Sequence, residues 1–192
     1  PGAEGEKNYL ADHPFGLKKY PLPKDVLVEQ VSIPMRDGIK LAATLFRPSS
    51  PTPVPAIVTA TLYGKDNYDQ WTYFRDPPEG NIPGGSFYMG EVTVSDHTAF
   101  EAPDPGYWVP NGYAVMLVDL AGFGKSESNP TATPGPEARW ADTFAWLEKQ
   151  KWCTGKVGMS GVSALCCAQW IAAKDPAPSQ LKAVIPWEGF NE

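Results

Sequence analysis

Hydrophobic and polar residues alternate near the start of the chain, over Val26–Pro34 and Ile39–Arg47. A period of two places successive side chains on opposite faces of a strand, so both segments are predicted to be strands with one buried face. Residues 35–38 separate them and end in Asp37-Gly38. Asp-Gly is a frequent hairpin signal because both residues tolerate a positive φ. The pattern therefore predicts an antiparallel β-hairpin.

Three later segments are hydrophobic almost without interruption: Val54–Tyr63, Tyr113–Asp119 and Leu181–Trp187. Strands that are covered by helices on both faces have this composition, and they occur in parallel sheets. Gly155–Ser160 adds a short strand that enters from a glycine turn. The predicted fold class is α/β, with a mostly parallel sheet, helices on both faces and an opening hairpin.

Helices are predicted between these strands. Ala164–Lys174 is apolar enough for a buried helix, and Gly106–Asn111 is a shorter candidate. Glu137–Gln150 has apolar residues that share one helical face, namely Trp140, Phe144 and Leu147. The predicted order after the hairpin is strand, helix, strand, helix, strand, helix, strand.

Two stretches lack periodicity. Residues 1–25 are polar and rich in proline, and we predict that they form an irregular leader over a body formed by residues 26–192. Residues 72–105 are predicted to be an irregular insertion rich in aromatic side chains: Tyr73, Phe74, Phe87, Tyr88 and Phe100. A length of 192 residues suits one core, so a single domain is expected.

The composition excludes several classes of protein. It is that of an ordinary globular protein, and a net charge of −6 without a basic cluster argues against nucleic acid and anionic membranes as partners. No stretch is long and apolar enough to span a membrane, and the first residues do not resemble a signal peptide, although Pro1 leaves a removed leader open. Three cysteines, two of them adjacent in a predicted helix, make no disulfide framework, which favours a cytoplasmic location.

Gly161-Val162-Ser163 stands between the predicted strand and the predicted helix Ala164–Lys174. A serine at such a sharp turn is a nucleophile elbow, since its hydroxyl is held above the sheet and the helix directs its positive end at a developing oxyanion. A side chain at position 161 would collide with the turn. The alternative is a serine that only caps the helix.

Other candidate motifs fail on spacing. Gly122–Ser126 lacks the first glycine of a phosphate-binding loop, because that position is Asp119, and it is predicted to be a turn after a strand. His13 and His97 both precede the candidate serine, whereas α/β-hydrolases have the order serine, acid, histidine. The sequence also contains no metal-binding motif, so no metal and no cofactor are predicted.

Four stretches resemble the cocaine-esterase-like hydrolases related to X-prolyl dipeptidyl peptidases. They extend from about Val31 to Trp187: the hairpin with its Met-Arg-Asp-Gly turn and Arg47-Pro48, the turn Leu62–Lys65, the segment Asn111–Ser126, and the run Trp146–Ser163. The resemblance implies an α/β-hydrolase fold with an inserted cap and a C-terminal jelly-roll domain. It also implies acyl transfer from esters or amides to water.

Carried over by position, the resemblance makes Ser163 the nucleophile, Tyr63 the oxyanion-hole tyrosine and the N–H of Ala164 the second oxyanion donor. The sequence departs from the family pattern at three places. Ala164 replaces a tyrosine, Cys166 replaces a glycine, and Ala121 replaces an arginine. The change at Cys166 adds bulk where a helix and a strand pack closely.

The predicted function is therefore hydrolysis of a small, partly apolar ester or amide through an acyl-enzyme at Ser163. Two alternatives stay open: acyl transfer, cyclisation or elimination at the same site, and an inactive hydrolase-like binding module. Aromatic residues near the Tyr63 turn could line an acyl pocket or belong to the core: Trp71, Tyr73, Phe74, Phe87 and Tyr88.

No histidine follows Ser163 in the sequence. A serine hydroxyl needs a base to take its proton, so we expect the catalytic acid and histidine to lie beyond Glu192 or on a second chain. The strand Leu181–Trp187 would then be joined by further strands. On this expectation residues 26–192 are the N-terminal part of an α/β-hydrolase domain, without its cap, its Asp- and His-bearing strands and its jelly roll.

Overall fold

The structure is a computed structural model that describes residues 16–68, 91–129, 136–174 and 177–189. The elements in chain order are β1 (Gly16–Tyr20), β2 (Val26–Pro34), β3 (Lys40–Pro48), β4 (Val54–Thr61), β5 (Glu91–Ser95), α1 (Pro105–Trp108), β6 (Ala114–Asp119), α2 (Pro136–Glu148), β7 (Cys153–Val162), α3 (Ala164–Ala173) and β8 (Leu181–Trp187). No helix within these ranges is long and apolar enough to cross a membrane.

Six strands form one mixed sheet in the order β2-β3-β6-β4-β7-β8. The four strands from β6 to β8 run parallel, whereas β2 and β3 pair antiparallel and β3 also runs antiparallel to β6. All six residues of β6 are buried, as expected of a strand covered on both faces. The predicted α/β fold with a mostly parallel sheet and an opening hairpin is confirmed.

The hairpin turn has one residue with a positive φ, Gly38 at 88°. The Gly38 N–H donates to the carbonyl of Met35 at 3.0 Å, and the Met35 N–H donates to the carbonyl of Ile39 at 2.9 Å. Of the two residues that tolerate a positive φ, only Gly38 adopts one, and the predicted hairpin forms. The turn is docked on α2, because Arg139 Nη2 lies 3.1 Å from Asp37 Oδ2.

The sheet has a hydrophobic core on each face. Helices α2 and α3 cover one face and bury side chains of β2, β3, β4 and β7 beneath them, and the predicted buried face of α2 is confirmed at Trp140, Phe144 and Leu147. The segment that contains α1 covers the other face, where Phe46, Val115 and Leu117 are fully buried. Strand β8 was predicted to be buried on both faces, and this prediction is wrong. Ile185 is 51% exposed and Trp187 is 62% exposed.

Strands β1 and β5 correct two predictions. Residues 16–20 belong to the predicted irregular leader and residues 91–95 to the predicted irregular insertion, yet they pair in parallel, from Gly16 with Glu91 to Tyr20 with Ser95. The Tyr20 hydroxyl donates to Asp104 Oδ2 at 2.8 Å and so ties this small sheet to the start of α1. The remaining leader, residues 1–15, and residues 72–90 of the insertion lie outside the described residues.

Candidate active site

Ser163 lies between the last residue of β7 and the first residue of α3. It has φ 56° and ψ −120°, a conformation that non-glycine residues rarely adopt. Its N–H donates to the carbonyl of Trp187 at 2.9 Å, and its carbonyl accepts the N–H of Cys166 at 2.9 Å. The Ser163 hydroxyl makes no capping hydrogen bond to α3, so its role is not that of an ordinary helix cap.

Gly161 allows the turn to close. Its φ is 152°, and a Cβ atom at this position would stand 2.6 Å from Leu165 Cβ and 2.9 Å from Thr59 Oγ1. The collision predicted from the sequence is therefore present. Because Leu165 is in the first turn of α3, a side chain at position 161 would push the helix away from the strand that it follows.

Gln169 fixes the elbow through hydrogen bonds of its side chain to the main chain, and it was not identified from the sequence. Its fully buried amide donates from Nε2 to the carbonyl of Gly161 at 3.0 Å and accepts the N–H of Ile185 at Oε1 at 2.9 Å. One side chain thus joins the end of β7 to β8. The sequence signal for this role was a glutamine in the middle of an apolar helix. A polar group buried there needs hydrogen-bond partners.

Tyr63 follows the end of β4, and its phenol is the group on which both Glu101 and Ser163 act. Burial raises the pKa of Tyr63, the charge of Glu101 and a hydrogen bond with Glu101 raise it further, and a hydrogen bond with the Ser163 hydroxyl lowers it. The Tyr63 ring packs edge-on against Phe100 with ring centroids 5.2 Å apart. A phenol with a raised pKa stays protonated and can serve as a hydrogen-bond donor next to the serine.

Ala164 is the first residue of α3. Its N–H therefore has no acceptor within the helix, and it lies at the positive end of the helix dipole. The fold brings together the three residues singled out from the sequence, Ser163, Tyr63 and Ala164. Two donors beside a serine hydroxyl form the arrangement that stabilises an oxyanion in acyl transfer.

A network of charged groups shapes the loop that carries Tyr63. Asp119 Oδ1 accepts the N–H of Lys65 at 2.6 Å and Asp119 Oδ2 accepts the N–H of Lys125 at 2.8 Å. The Lys65 ammonium is 1% exposed and donates to Asp66, Thr44 and Gln30. The turn Gly122–Ser126 belongs to this scaffold, and its interpretation as a turn after a strand is confirmed.

Gly124 in that turn has φ 53°, and a Cβ atom there would collide with the Asp119 carboxylate. Asp119 accepts two backbone N–H groups in this protein, in which Ala121 stands where the family resemblance has an arginine. The carboxylate therefore remains hydrogen-bonded without that arginine.

His97 faces a different part of the structure. Its Nδ1 lies 2.6 Å from Asp96 Oδ1, and its ring packs against Phe46 and Tyr68. Within the described residues no contact joins it to Ser163. His13 lies outside the described residues, as do all five aromatic residues proposed near the site, Trp71, Tyr73, Phe74, Phe87 and Tyr88.

Comparison with known proteins agrees with the resemblance. The family described as X-Pro dipeptidyl-peptidase (S15 family) matches residues 37–191. The cocaine esterase of Rhodococcus sp. is 32% identical over 173 residues, which are 85% of this chain and 25% of that protein. A putative Xaa-Pro dipeptidyl-peptidase of Bacillus anthracis is 39% identical over 71 residues, 30% of this chain and 12% of that protein.

Solved structures support the same assignment. A crystal structure of a CocE/NonD family hydrolase from Staphylococcus aureus has a TM-score of 0.68 and 36% identity, and the match covers 86% of this chain and 28% of that one. An alpha-amino acid ester hydrolase shares the fold with a TM-score of 0.62 at 23% identity, over 86% of this chain and 26% of that one. The chain spans about a quarter of the length of its first curated relative.

Proposed function

The chain belongs to the X-Pro dipeptidyl-peptidase (S15) family, a family of esterase- and peptidase-type hydrolases, and on this premise we propose that it carries the nucleophile and the oxyanion hole of a serine hydrolase. Ser163 Oγ attacks the carbonyl carbon of an ester or amide and gives up its proton to a base. The Tyr63 hydroxyl and the Ala164 N–H donate to the resulting oxyanion. The leaving group departs, and water releases the acid from the acyl-enzyme.

The observation that carries this proposal is the strained backbone conformation of Ser163 together with a hydroxyl that does not cap the helix. Its backbone is held at φ 56° by hydrogen bonds on both sides, and its hydroxyl does not cap the helix but lowers the pKa of Tyr63. Strained conformations persist where the surrounding structure enforces them, and they cluster at functional sites. A serine kept only for its small size would not need this conformation.

In this proposal the base that activates Ser163 comes from outside the 192 residues, from the same protein or from a second chain. The sequence has no histidine after Ser163, and His97 packs elsewhere. A histidine and an acid from that source would face the hydroxyl from the side opposite the oxyanion donors. The small, partly apolar substrate is also part of the proposal, supported by Phe100 beside Tyr63.

Turnover by a variant that lacks only the Ser163 hydroxyl tests the proposal. In the complete natural protein that contains this chain, Ser163→Ala should lower kcat for p-nitrophenyl esters about 10⁴-fold or more. The exposed Ser179 provides the matched control, and Ser179→Ala should leave kcat unchanged. Esters of increasing acyl length define the substrate class, and product analysis with an added amine acceptor separates hydrolysis from acyl transfer. Full activity of Ser163→Ala would refute the proposal.

A further inference from the structure

Three non-glycine residues in the described ranges have a φ in the left-handed region, namely the elbow serine and one residue in each of two neighbouring segments. They are Glu101 at 60°, Ser163 at 56° and Glu188 at 55°. The carbonyl of Glu101 accepts the N–H of Val162 at 3.1 Å, and the N–H of Ser163 donates to the carbonyl of Trp187. The main chain of Glu101 is therefore tied to the residue that precedes the nucleophile.

The Glu101 side chain also points at the site. Its carboxylate and the Tyr63 phenol each act on the pKa of the other, and the Tyr63 ring packs against the neighbouring residue, Phe100, with ring centroids 5.2 Å apart. Glu101 Oε2 is buried and has no hydrogen-bond partner. None of the ion pairs among the described residues includes Glu101, so this carboxylate beside the oxyanion donor is not neutralised there.

A neutral phenol has a single proton to donate. A Tyr63 proton that is given to Glu101 is not available to the oxyanion at Ser163. On the basis of the function proposed above, we infer that Glu101 is a positioning residue that sets the direction of the Tyr63 hydroxyl. Ionised Glu101 draws the phenol proton to itself, whereas protonated Glu101 donates to the Tyr63 oxygen and leaves the phenol proton for the oxyanion.

The surroundings of Glu101 favour such a change of protonation. Burial raises the pKa of Glu101, the hydrogen bond with Tyr63 lowers it, and the negative charge of Glu188 raises it, with a net result above the ordinary value. Tyr63 and Glu188 are the titratable groups that act on Glu101 within the described residues. A developing oxyanion adds another like charge, so Glu101 takes up a proton from solvent as the tetrahedral intermediate forms.

The variant Glu101→Gln separates positioning from a merely structural role, because its amide can donate to the Tyr63 oxygen at every pH. As pH rises through the pKa of Glu101, kcat of the wild type should fall relative to kcat of the variant. For one proton the fall is at most about tenfold per pH unit. The effect of the base that activates Ser163 cancels in this ratio, since both proteins share it.

The experiment measures hydrolysis of p-nitrophenyl acetate by the complete natural protein from about pH 5 to about pH 10, a range that spans the pKa of a carboxyl group raised by burial. In a Tyr63→Phe background the ratio of kcat without Glu101→Gln to kcat with it should become independent of pH, because no hydroxyl remains to be directed. Glu188→Gln should move the fall to lower pH. The exposed Glu148 is the matched control, and Glu148→Gln should leave the profile unchanged.

The inference would be overturned if the ratio of wild-type kcat to Glu101→Gln kcat did not vary with pH. It would also be overturned if the corresponding ratio still varied with pH in the Tyr63→Phe background. A measurement on the wild type covers the case in which Glu101→Gln fails to fold. A trifluoromethyl ketone that adds to Ser163 should produce the infrared carbonyl band of a newly protonated carboxyl group, and absence of that band also overturns the inference. Full turnover by Ser163→Ala instead refutes the proposed function itself, so the two failures are distinguishable.

Discussion

The backbone of Gly189 lies against the side chain of Cys166, so that a Cβ atom at position 189 would stand 2.6 Å from Cys166 Cβ. Cys166 is 1% exposed and occupies the position at which the resembled family has a glycine. The extra bulk predicted for the elbow helix is accommodated by the segment after β8, through a residue that has no side chain. The carbonyl of Ser163 is 3.3 Å from the same Cβ position, so Gly189 also lies against the elbow.

Gly189→Ala should therefore destabilise the protein by about 1–3 kcal/mol, the usual cost of overpacking. Adding Cys166→Gly should recover part of that loss, since it removes the colliding side chain. Urea unfolding of the two single variants and the double variant gives the coupling free energy. Gly158→Ala is the control, because its Cβ would make only an ordinary contact of 3.8 Å. Strict additivity of the two substitutions would contradict this account.

Gly161→Ala is expected to damage stability and turnover together. The new methyl group collides with Leu165 in α3 and with Thr59 in β4, so the elbow opens and Ser163 moves away from Tyr63. Thermal unfolding and kcat, measured on the same preparation, should both decrease. A variant that unfolds at the wild-type temperature and keeps full turnover would show that the elbow tolerates a side chain.

Tyr63→Phe should lower kcat by about 10²–10³ and change KM little, because it removes one donor to the oxyanion. The ring remains and keeps its packing against Phe100. Tyr113, which packs against Trp108 with ring centroids 5.4 Å apart, provides a control in Tyr113→Phe. A rise in KM at constant kcat would instead assign Tyr63 to substrate binding.

Asp66→Asn tests the buried charges behind the Tyr63 loop. Burial alone would raise the pKa of Asp66, but hydrogen bonds from Lys125, Lys65 and Thr44 outweigh it and hold the pKa well below its ordinary value. A depressed carboxyl pKa in the folded state contributes stability above the unfolded pKa of about 4, and this contribution is lost as pH falls below it.

The variant should thus be less stable than the wild type at neutral pH, by about 1–3 kcal/mol, because the Lys65 ammonium loses its charged acceptor. The difference in free energy of unfolding should shrink as pH falls below about 4. Urea unfolding at several pH values measures it, with the exposed Asp25→Asn as control. A difference that stays constant down to low pH would contradict the assignment.

The sequence could predict the hairpin, the core strands and the elbow because each has its own local pattern. Val26–Pro34 and Leu181–Trp187 are observed with the predicted bounds. The pairing of β1 with β5 could not be predicted in this way, since β1 has no alternation, β5 alternates over only five residues, and the two meet only through tertiary packing. Glu101 was missed for the same reason, as its proximity to Tyr63 depends on a loop with no recognisable pattern.

Covalent labelling of the complete natural protein tests the central claim, that Ser163 is an activated nucleophile. A fluorophosphonate reacts with a serine whose proton is taken by a base, and peptide mass spectrometry locates the label. The account predicts stoichiometric modification of Ser163, loss of esterase activity in parallel, and no modification after Ser163→Ala. Modification of a different serine, or full esterase activity with Ser163 unmodified, would contradict it.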